Sequence, residues 1–235
     1  MKTSLTLFLL ALFISPICAQ EIPEGYTLVY QQDFETKNAL SDFEMTDSKA
    51  WLLSKGTKGK SLEINKASDY TPRVRSPFNI AMLKTKTLGS FILEVELQQT
   101  GKEYGHRDLC LFFGMKDAEN FYYTHIASTP DPHAHNIFLV NDEPRVAIGE
   151  WINDGINWGK TDDWHTVRVI RDIQKGTIEV YFDDLKKPIM KATDNHFDYG
   201  HVGFGTFDDI GKFDNIKIWA PGEAILKKSF FNPSH

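Results

Sequence analysis

The sequence predicts an all-β chain, folded as a two-sheet antiparallel jelly-roll β-sandwich. Three observations carry that reading. Short segments alternate apolar and polar side chains, most clearly Phe91, Leu93, Val95 and Leu97 against Ile92, Glu94, Glu96 and Gln98. Turn residues break these segments at short intervals: Gln174-Lys175-Gly176, Asp183-Asp184, Gly200 and Ile210-Gly211-Lys212. Helical periodicity is weak throughout.

The N-terminus reads as a targeting segment. Lys2 gives a positive start, and Leu7 to Ile14 is an apolar core too short for a comfortable membrane span. Ile17-Cys18-Ala19 offers a small residue at a cleavage point. Residues 1–19 are therefore expected to be a signal peptide, and the mature chain a secreted or periplasmic bacterial protein with no membrane insertion. Lipid attachment at Cys18 is disfavoured, because Ile17 stands where a small residue is needed. The chain has 2 cysteines, so maturation leaves Cys110 alone and no internal disulfide to form. Its apolar neighbours Leu109, Leu111 and Phe112 point to a buried, inert thiol. The net charge of −6 argues against a nucleic-acid partner. Lys55, Lys58, Lys60, Lys66, Arg73 and Arg75 concentrate positive charge in the N-terminal third, mostly as a solvated loop.

Residues 20–221 are expected to form one domain, a monomer, with 222–235 as a C-terminal extension. No linker or low-complexity tract divides them. From Tyr26 the pattern is strand-like. Asp47 to Lys66 reads as two strands around a Gly-Lys loop, and Asp69 to Asn79, with two prolines, as irregular chain. Thr87 to Thr100 reads as one strand. WHTVRVIRD, TIEVYFDD, HVGFGTFDD and FDNIKIW complete the set, with Gly200, Gly203 and Gly205 allowing close backbone packing.

The stretch from Tyr104 to Arg145 departs from this scaffold. It holds four of the 8 histidines. As a strand, 106–113 puts His106, Asp108, Cys110 and Phe112 on one face and Arg107 on the other. The segment 121–127 groups Tyr123 with His125, and 133–140 groups His133, His135, Ile137 and Leu139. A turn then leads to Arg145. If these strands are neighbours, His106, Asp108, Tyr123, His125, His135 and Arg145 converge on one face.

The order DFE, GSFILEVEL, WHTVRVIRD with GTIEVYFDD, GHVGFGTFDD and FDNIKIW resembles the concanavalin A-like lectin/glucanase superfamily, over Tyr26 to Trp219. Its laminin-G-like and 3-keto-disaccharide-hydrolase-type branches are nearest in style. The central block is similar to secreted proteins that accompany polysaccharide lyases, ulvan oligosaccharide dehydratases among them. The resemblance implies the sandwich and a saccharide ligand, and leaves the activity open, because this scaffold carries lectins, hydrolases and lyases. The E-x-D-x-x-E motif of retaining glucanases is absent. The resemblance also implies a structural calcium between the first and last strands, at Asp33 and Asp214, whose carboxylates suit a hard cation.

The residues fit β-elimination on a uronate. That reaction needs a base for the proton α to the carboxylate and neutralisation of the enolate charge. His125 is the expected base, Tyr123 the proton donor to the leaving oxygen, and Arg145 the forked partner of the carboxylate. His106, His133, His135 and Tyr104 are expected to bind substrate, with Asp108 orienting a histidine. The expected partner is an acidic oligosaccharide or polysaccharide, and the expected activity that of a carbon–oxygen lyase, either dehydratase or polysaccharide lyase. Three alternatives stay open. His133-Ala134-His135 can chelate a transition metal. Tyr104, Tyr122, Tyr123, Trp151 and Trp158 can stack on sugars in a non-catalytic module. The pairs Asp162-Asp163, Asp183-Asp184 and Asp208-Asp209 can serve a hydrolase, although their placement favours turn formation.

Overall fold

A computed structural model describes residues 22–221. The expected signal peptide and C-terminal extension lie outside the described residues. Sixteen strands form among the described residues. They are β1 (Thr27–Gln32), β2 (Phe43–Met45), β3 (Trp51–Lys55), β4 (Lys60–Ile64), β5 (Asn79–Leu88), β6 (Phe91–Gln99), β7 (Asp108–Asp117) and β8 (Asn120–Ala127). β9 (Asn136–Asn141), β10 (Val146–Ala147), β11 (Trp151–Ile152), β12 (His165–Asp172), β13 (Thr177–Phe182), β14 (Pro188–Thr193), β15 (Gly200–Thr206) and β16 (Gly211–Ala220) follow. One sheet runs β11-β14-β13-β12-β6-β16-β4-β3, with β1 paired to β16; the other runs β10-β9-β8-β7-β15-β5-β2. All their pairings are antiparallel. The expected two-sheet antiparallel sandwich is the observed fold.

The interior lies between the sheets. Leu93, Val95 and Leu97 of β6 and Val167 and Val169 of β12 meet Leu109, Leu111 and Phe113 of β7 and Val202 and Phe204 of β15. Period-two alternation puts these side chains on one face of each strand. A second apolar cluster covers the opposite face of the second sheet. It joins Ile80 and Met82 of β5, Cys110 and Phe112 of β7, Phe121 and Tyr123 of β8, and Phe138 and Val140 of β9. Val74, from the irregular chain between β4 and β5, packs onto it. The second sheet is therefore buried on both faces at its centre.

Several boundaries differ from the sequence reading. The segment Thr87 to Thr100 is the end of β5, a Gly89-Ser90 turn and then β6. Leu88 and Phe91 are both buried, so the alternation runs across the turn without a visible break. β2, most of β5, β10, β11 and β14 were not anticipated; β10 and β11 are only two residues long. β7 begins at Asp108 rather than at residue 106, and β9 at Asn136 rather than at residue 133. Ahead of β9, Asp131 and Ala134 pair across a tight turn, and His135 takes a left-handed backbone with φ of 50°. That turn consumes the residues read as the start of a strand. Gly205 shows why β15 is rich in glycine: a Cβ there would collide with the carbonyl of Asn79 on β5.

Candidate functional site

The site occupies the outward face of the second sheet. Strand register assembles it. Cys110 pairs with His125, Phe112 with Tyr123, and Tyr123 with Phe138. Directly opposed residues share a face, so Asp108, Cys110, Tyr123, His125 and Phe138 point the same way. Two further segments close over them. The turn after β15 supplies Phe207, Asp208 and Asp209. The turn before β10 supplies Arg145, whose amide donates to the carbonyl of Arg75 at 3.1 Å.

Aromatic stacking sets the geometry. The Tyr123 ring lies on Phe138 at 5.1 Å between centroids, with an interplanar angle of 15°. His125 lies parallel to Phe207 at 6.1 Å and 4°. The Arg145 guanidinium sits 4.2 Å from the Phe207 ring centroid and 5.2 Å from that of Phe138. Arg75 reaches the Phe207 ring as well, at 5.5 Å. Cation–π attraction of this kind holds two guanidiniums beside one ring without a carboxylate bridge. Arg145 Nη1 donates to the Tyr123 hydroxyl at 3.2 Å, and its Nη2 donates to the carbonyl of His133 at 3.0 Å.

Below this layer sits a buried acid. Asp108 is fully buried, and its Oδ2 accepts from the Phe207 amide at 3.1 Å and the Cys110 thiol at 3.1 Å. His125 Nε2 stands 3.5 Å from the same oxygen, without hydrogen-bond geometry. Asp209 Oδ2 accepts from the Asp108 amide and the Tyr104 hydroxyl, both at 2.9 Å. Four atoms here have no hydrogen-bond partner among the described residues despite burial: Asp108 Oδ1, both nitrogens of His125, and Arg145 Nε. Orphan buried polar atoms are uncommon, and they concentrate where a ligand or ion completes them.

Titration follows from burial and neighbouring charge. Burial pushes the Tyr123 phenol well above its ordinary value, with Arg145 opposing in part, so the hydroxyl keeps its proton. Burial and Asp108 raise the Cys110 thiol, which fits the inert cysteine expected. Asp209 is pushed up to about 7 by burial and by the Asp108 charge. Asp208 is raised by burial and Asp108, while His125, Arg145 and Arg75 pull it down. Against its own burial, Asp108 is held below its ordinary value by His125. The arrangement thus offers a protonated phenol, an imidazole with free nitrogens, and a guanidinium, all on one face.

Tyr123, His125, Arg145, Asp108 and Tyr104 meet at this site. The other expected members do not. His106 precedes β7 and pairs with Asp131 at the surface. His133 contributes only its backbone, and its amide donates to Asp131 Oδ1 at 2.6 Å. His135 faces the other side of the sheet. Pairing of Tyr123 with Phe138 gives the site face to the even positions of β9, and the odd positions run into the interior with Ile137. His135 is fully buried there, accepting from the Ala127 amide at 3.3 Å and lying 2.5 Å from Asn153 Oδ1. His133 and His135 therefore do not form a chelating pair on one strand face. Trp158, read as a possible sugar platform, is core: it is buried, and its indole donates to the Arg107 carbonyl at 3.0 Å. Arg107 is buried too and bonds Gln99.

The expected calcium pair lies at the first and last strands, β1 and β16, which pair with each other. Asp33 is exposed at the end of β1 and accepts from the Glu35 amide at 3.2 Å. Asp214 is buried in β16 and already accepts from the amide and hydroxyl of Thr57 and the amide of Asn215. Neither belongs to a group of three acidic, histidine or cysteine ligand atoms among the described residues. Sequence reasoning missed Phe207, and it named Arg75 and the Asp208-Asp209 pair without bringing them to this site. The aspartates looked like turn formers, and Arg75 like one of several solvated cations. The return of β15 beside β7 brings Phe207, Asp208 and Asp209 to His125, and Arg75 reaches them from the chain ahead of β5, where its carbonyl accepts from the Arg145 amide.

No family model matches the chain, and no curated protein matches it. Solved structures share its fold. A Bacillus subtilis protein of unknown function with a galectin-like fold is 13% identical, with a TM-score of 0.57, over 82% of this chain and 97% of its own. The carbohydrate-binding module CBM66 from Bacillus subtilis is 16% identical, TM-score 0.52, over 74% of this chain and 93% of its own. A Parabacteroides distasonis protein provisionally assigned as a glycosyl hydrolase is 14% identical, TM-score 0.52, over 81% and 99%. At these identities the likeness establishes the fold alone. It is the jelly roll of galectin- and concanavalin A-like proteins, which the superfamily resemblance implied.

Proposed function

We propose that this protein acts on uronate-containing acidic saccharides by β-elimination, as an oligosaccharide dehydratase or polysaccharide lyase. The observation that supports this most is the contact between Tyr123 and Arg145 beside a buried His125 whose ring nitrogens lack hydrogen-bond partners. Arg145 pairs with the substrate carboxylate and offsets charge as the enolate forms. His125 removes the α proton; the electron pair forms the new double bond, and the bond from the β carbon to its oxygen breaks. Tyr123, protonated at neutral pH, delivers its proton to that oxygen. The lyase releases a saccharide and the dehydratase water, and the same residues serve both. Phe207 covers His125, so substrate entry displaces the Phe207 ring. Saccharide-binding neighbours of the same fold favour a carbohydrate ligand. Export to the periplasm or medium, where such glycans are met, is part of the proposal.

A second reading has its own support. Tyr123 is fully buried and His125 is 4% exposed, so neither meets a substrate unless the covering turn moves, and a carbohydrate-binding module shares the fold, which favours a non-catalytic binding module. A structural calcium at Asp33 and Asp214 draws no support from their side-chain partners. Mature protein incubated with a panel of uronate oligosaccharides, ulvan fragments included, separates the readings. New ultraviolet absorbance with chain shortening means a lyase; absorbance with loss of one water means a dehydratase. Binding without absorbance or mass change on the whole panel would sink the elimination and leave the module.

A further inference from the structure

We infer that Asp108, Asp208 and Asp209 hold a hard divalent cation at the edge of the Tyr123–His125–Arg145 site. One carboxylate oxygen from each residue lies within 4.8 Å of the other two. Such a grouping is common on surfaces without any ion, so the case rests on what surrounds it. Asp108 is fully buried, and its Oδ1 has no partner among the described residues. His125, 4% exposed, lies alongside with Nε2 3.5 Å from Asp108 Oδ2, and neither of its nitrogens is hydrogen-bonded. A fully buried carboxylate oxygen without a partner, beside two further carboxylates, is the kind of atom that a bound ion satisfies. No lysine or arginine among the described residues forms an ion pair with any of the three aspartates. Arg75 and Arg145 stack on Phe207 instead.

The backbone already positions the ligands. The Phe207 amide donates to Asp108, the Asp108 amide donates to Asp209, and Thr206 Oγ1 donates to the Asp209 carbonyl at 2.8 Å. These bonds tie the turn after β15 to the first residue of β7, so the carboxylates keep their spacing without an ion. Oxygen donors on a partly open turn suit calcium, magnesium or manganese better than a thiolate-seeking metal. The site is separate from the Asp33–Asp214 pair, which lies at the β1–β16 end.

A consequence follows for the saccharide, and it rests on the proposed function. With all three aspartates ionised, as ion binding requires, three carboxylates against two guanidiniums leave the site net negative, which repels an acidic ligand. A bound divalent cation reverses that sign. Arg145 and the ion then present positive charge from two sides of the covered His125.

The test is cation binding by full-length mature protein after stripping with chelator, using calcium and manganese as probes. Calorimetry is expected to show one saturable site, with a rise in melting temperature on addition of the ion. Asp208→Asn alters an exposed residue and is expected to fold normally and weaken binding at least tenfold. Asp209→Asn is expected to do the same. Absence of saturable binding in the wild type, or equal affinity in wild type and both variants, would overturn the assignment. Affinity for a uronate trisaccharide is measured separately with and without the ion. Ion binding without saccharide binding would keep the cation site and remove the saccharide reading.

Discussion

At the scale of single residues, Tyr123 separates chemistry from architecture. Its ring is packed among Phe112, Phe121 and Phe138. Its hydroxyl accepts one bond, from Arg145. Tyr123→Phe keeps the stack and loses only that oxygen. A bond to a charged group contributes about 1.5–3 kcal/mol net, so the variant is expected to fold with a loss of stability of that order or less. If Tyr123 delivers the proton, the elimination rate falls about 10²–10⁴-fold. Full activity in this variant would remove Tyr123 from the proton transfers. The grouping of Tyr123 with His125 was legible because both sit in β8 two positions apart. Their link to Arg145 was legible as a convergence of neighbouring strands. Phe207 and Asp208 were not, since nothing local to a Phe-Asp-Asp turn says which sheet face it covers.

At the scale of elements, legibility tracks how many faces a strand buries. β6 shows its face plainly, with Glu94 and Glu96 alternating against Leu93, Val95 and Leu97. β7 is buried from Asp108 through Met115, because the sandwich interior lies on one side and the Tyr123 cluster on the other. A strand buried on both faces loses its polar alternation, and the side on which Arg107 or His106 falls cannot be read from period two. β9 failed for a different reason: the 131–134 turn takes up its expected start, and pairing of Tyr123 with Phe138 gives the site face to the even positions, so the odd set faces the interior. Close approach between strands is the element-scale property most open to test. Gly205 lies against β5, where an added methyl meets the Asn79 carbonyl. Gly205→Ala is expected to destabilise by about 1–3 kcal/mol, as overpacking does, measured as a lowered urea midpoint. An unchanged midpoint would mean that β15 and β5 separate easily, which would also loosen the Phe207 turn that follows β15.

At the scale of the whole molecule, burial of neutral histidines couples the sandwich to pH. His135 and His201 are both nearly inaccessible, and they lie on different strands of the second sheet or its approaches. Burial lowers the pKa of each below 6.5, despite hydrogen bonds that favour protonation: to Asn153 at His135, and to the Leu83 and Lys86 backbone at His201. His125 lowers His135 further, and Glu44 opposes the shift at His201. A lowered folded-state value means the unfolded chain binds the proton more readily. The stability these groups confer is therefore complete above pH 6.5 and is lost as pH falls through the folded-state values. Each proton taken up on unfolding steepens the loss by up to about 1.4 kcal/mol per pH unit. The buried Asp214 has the opposite sign, since burial raises it and its contribution fades as pH rises. A wild-type pH profile mixes the two, so a variant is needed. His201 Nδ1 stands 3.0 Å from the Leu83 carbonyl, a contact that an asparagine amide reproduces. His201→Asn is expected to lose less stability than the wild type between pH 8 and pH 5, read from urea midpoints at both. Parallel losses in the two proteins would show that His201 binds its proton in the folded chain as readily as in the unfolded one, so that its burial contributes nothing to the pH dependence.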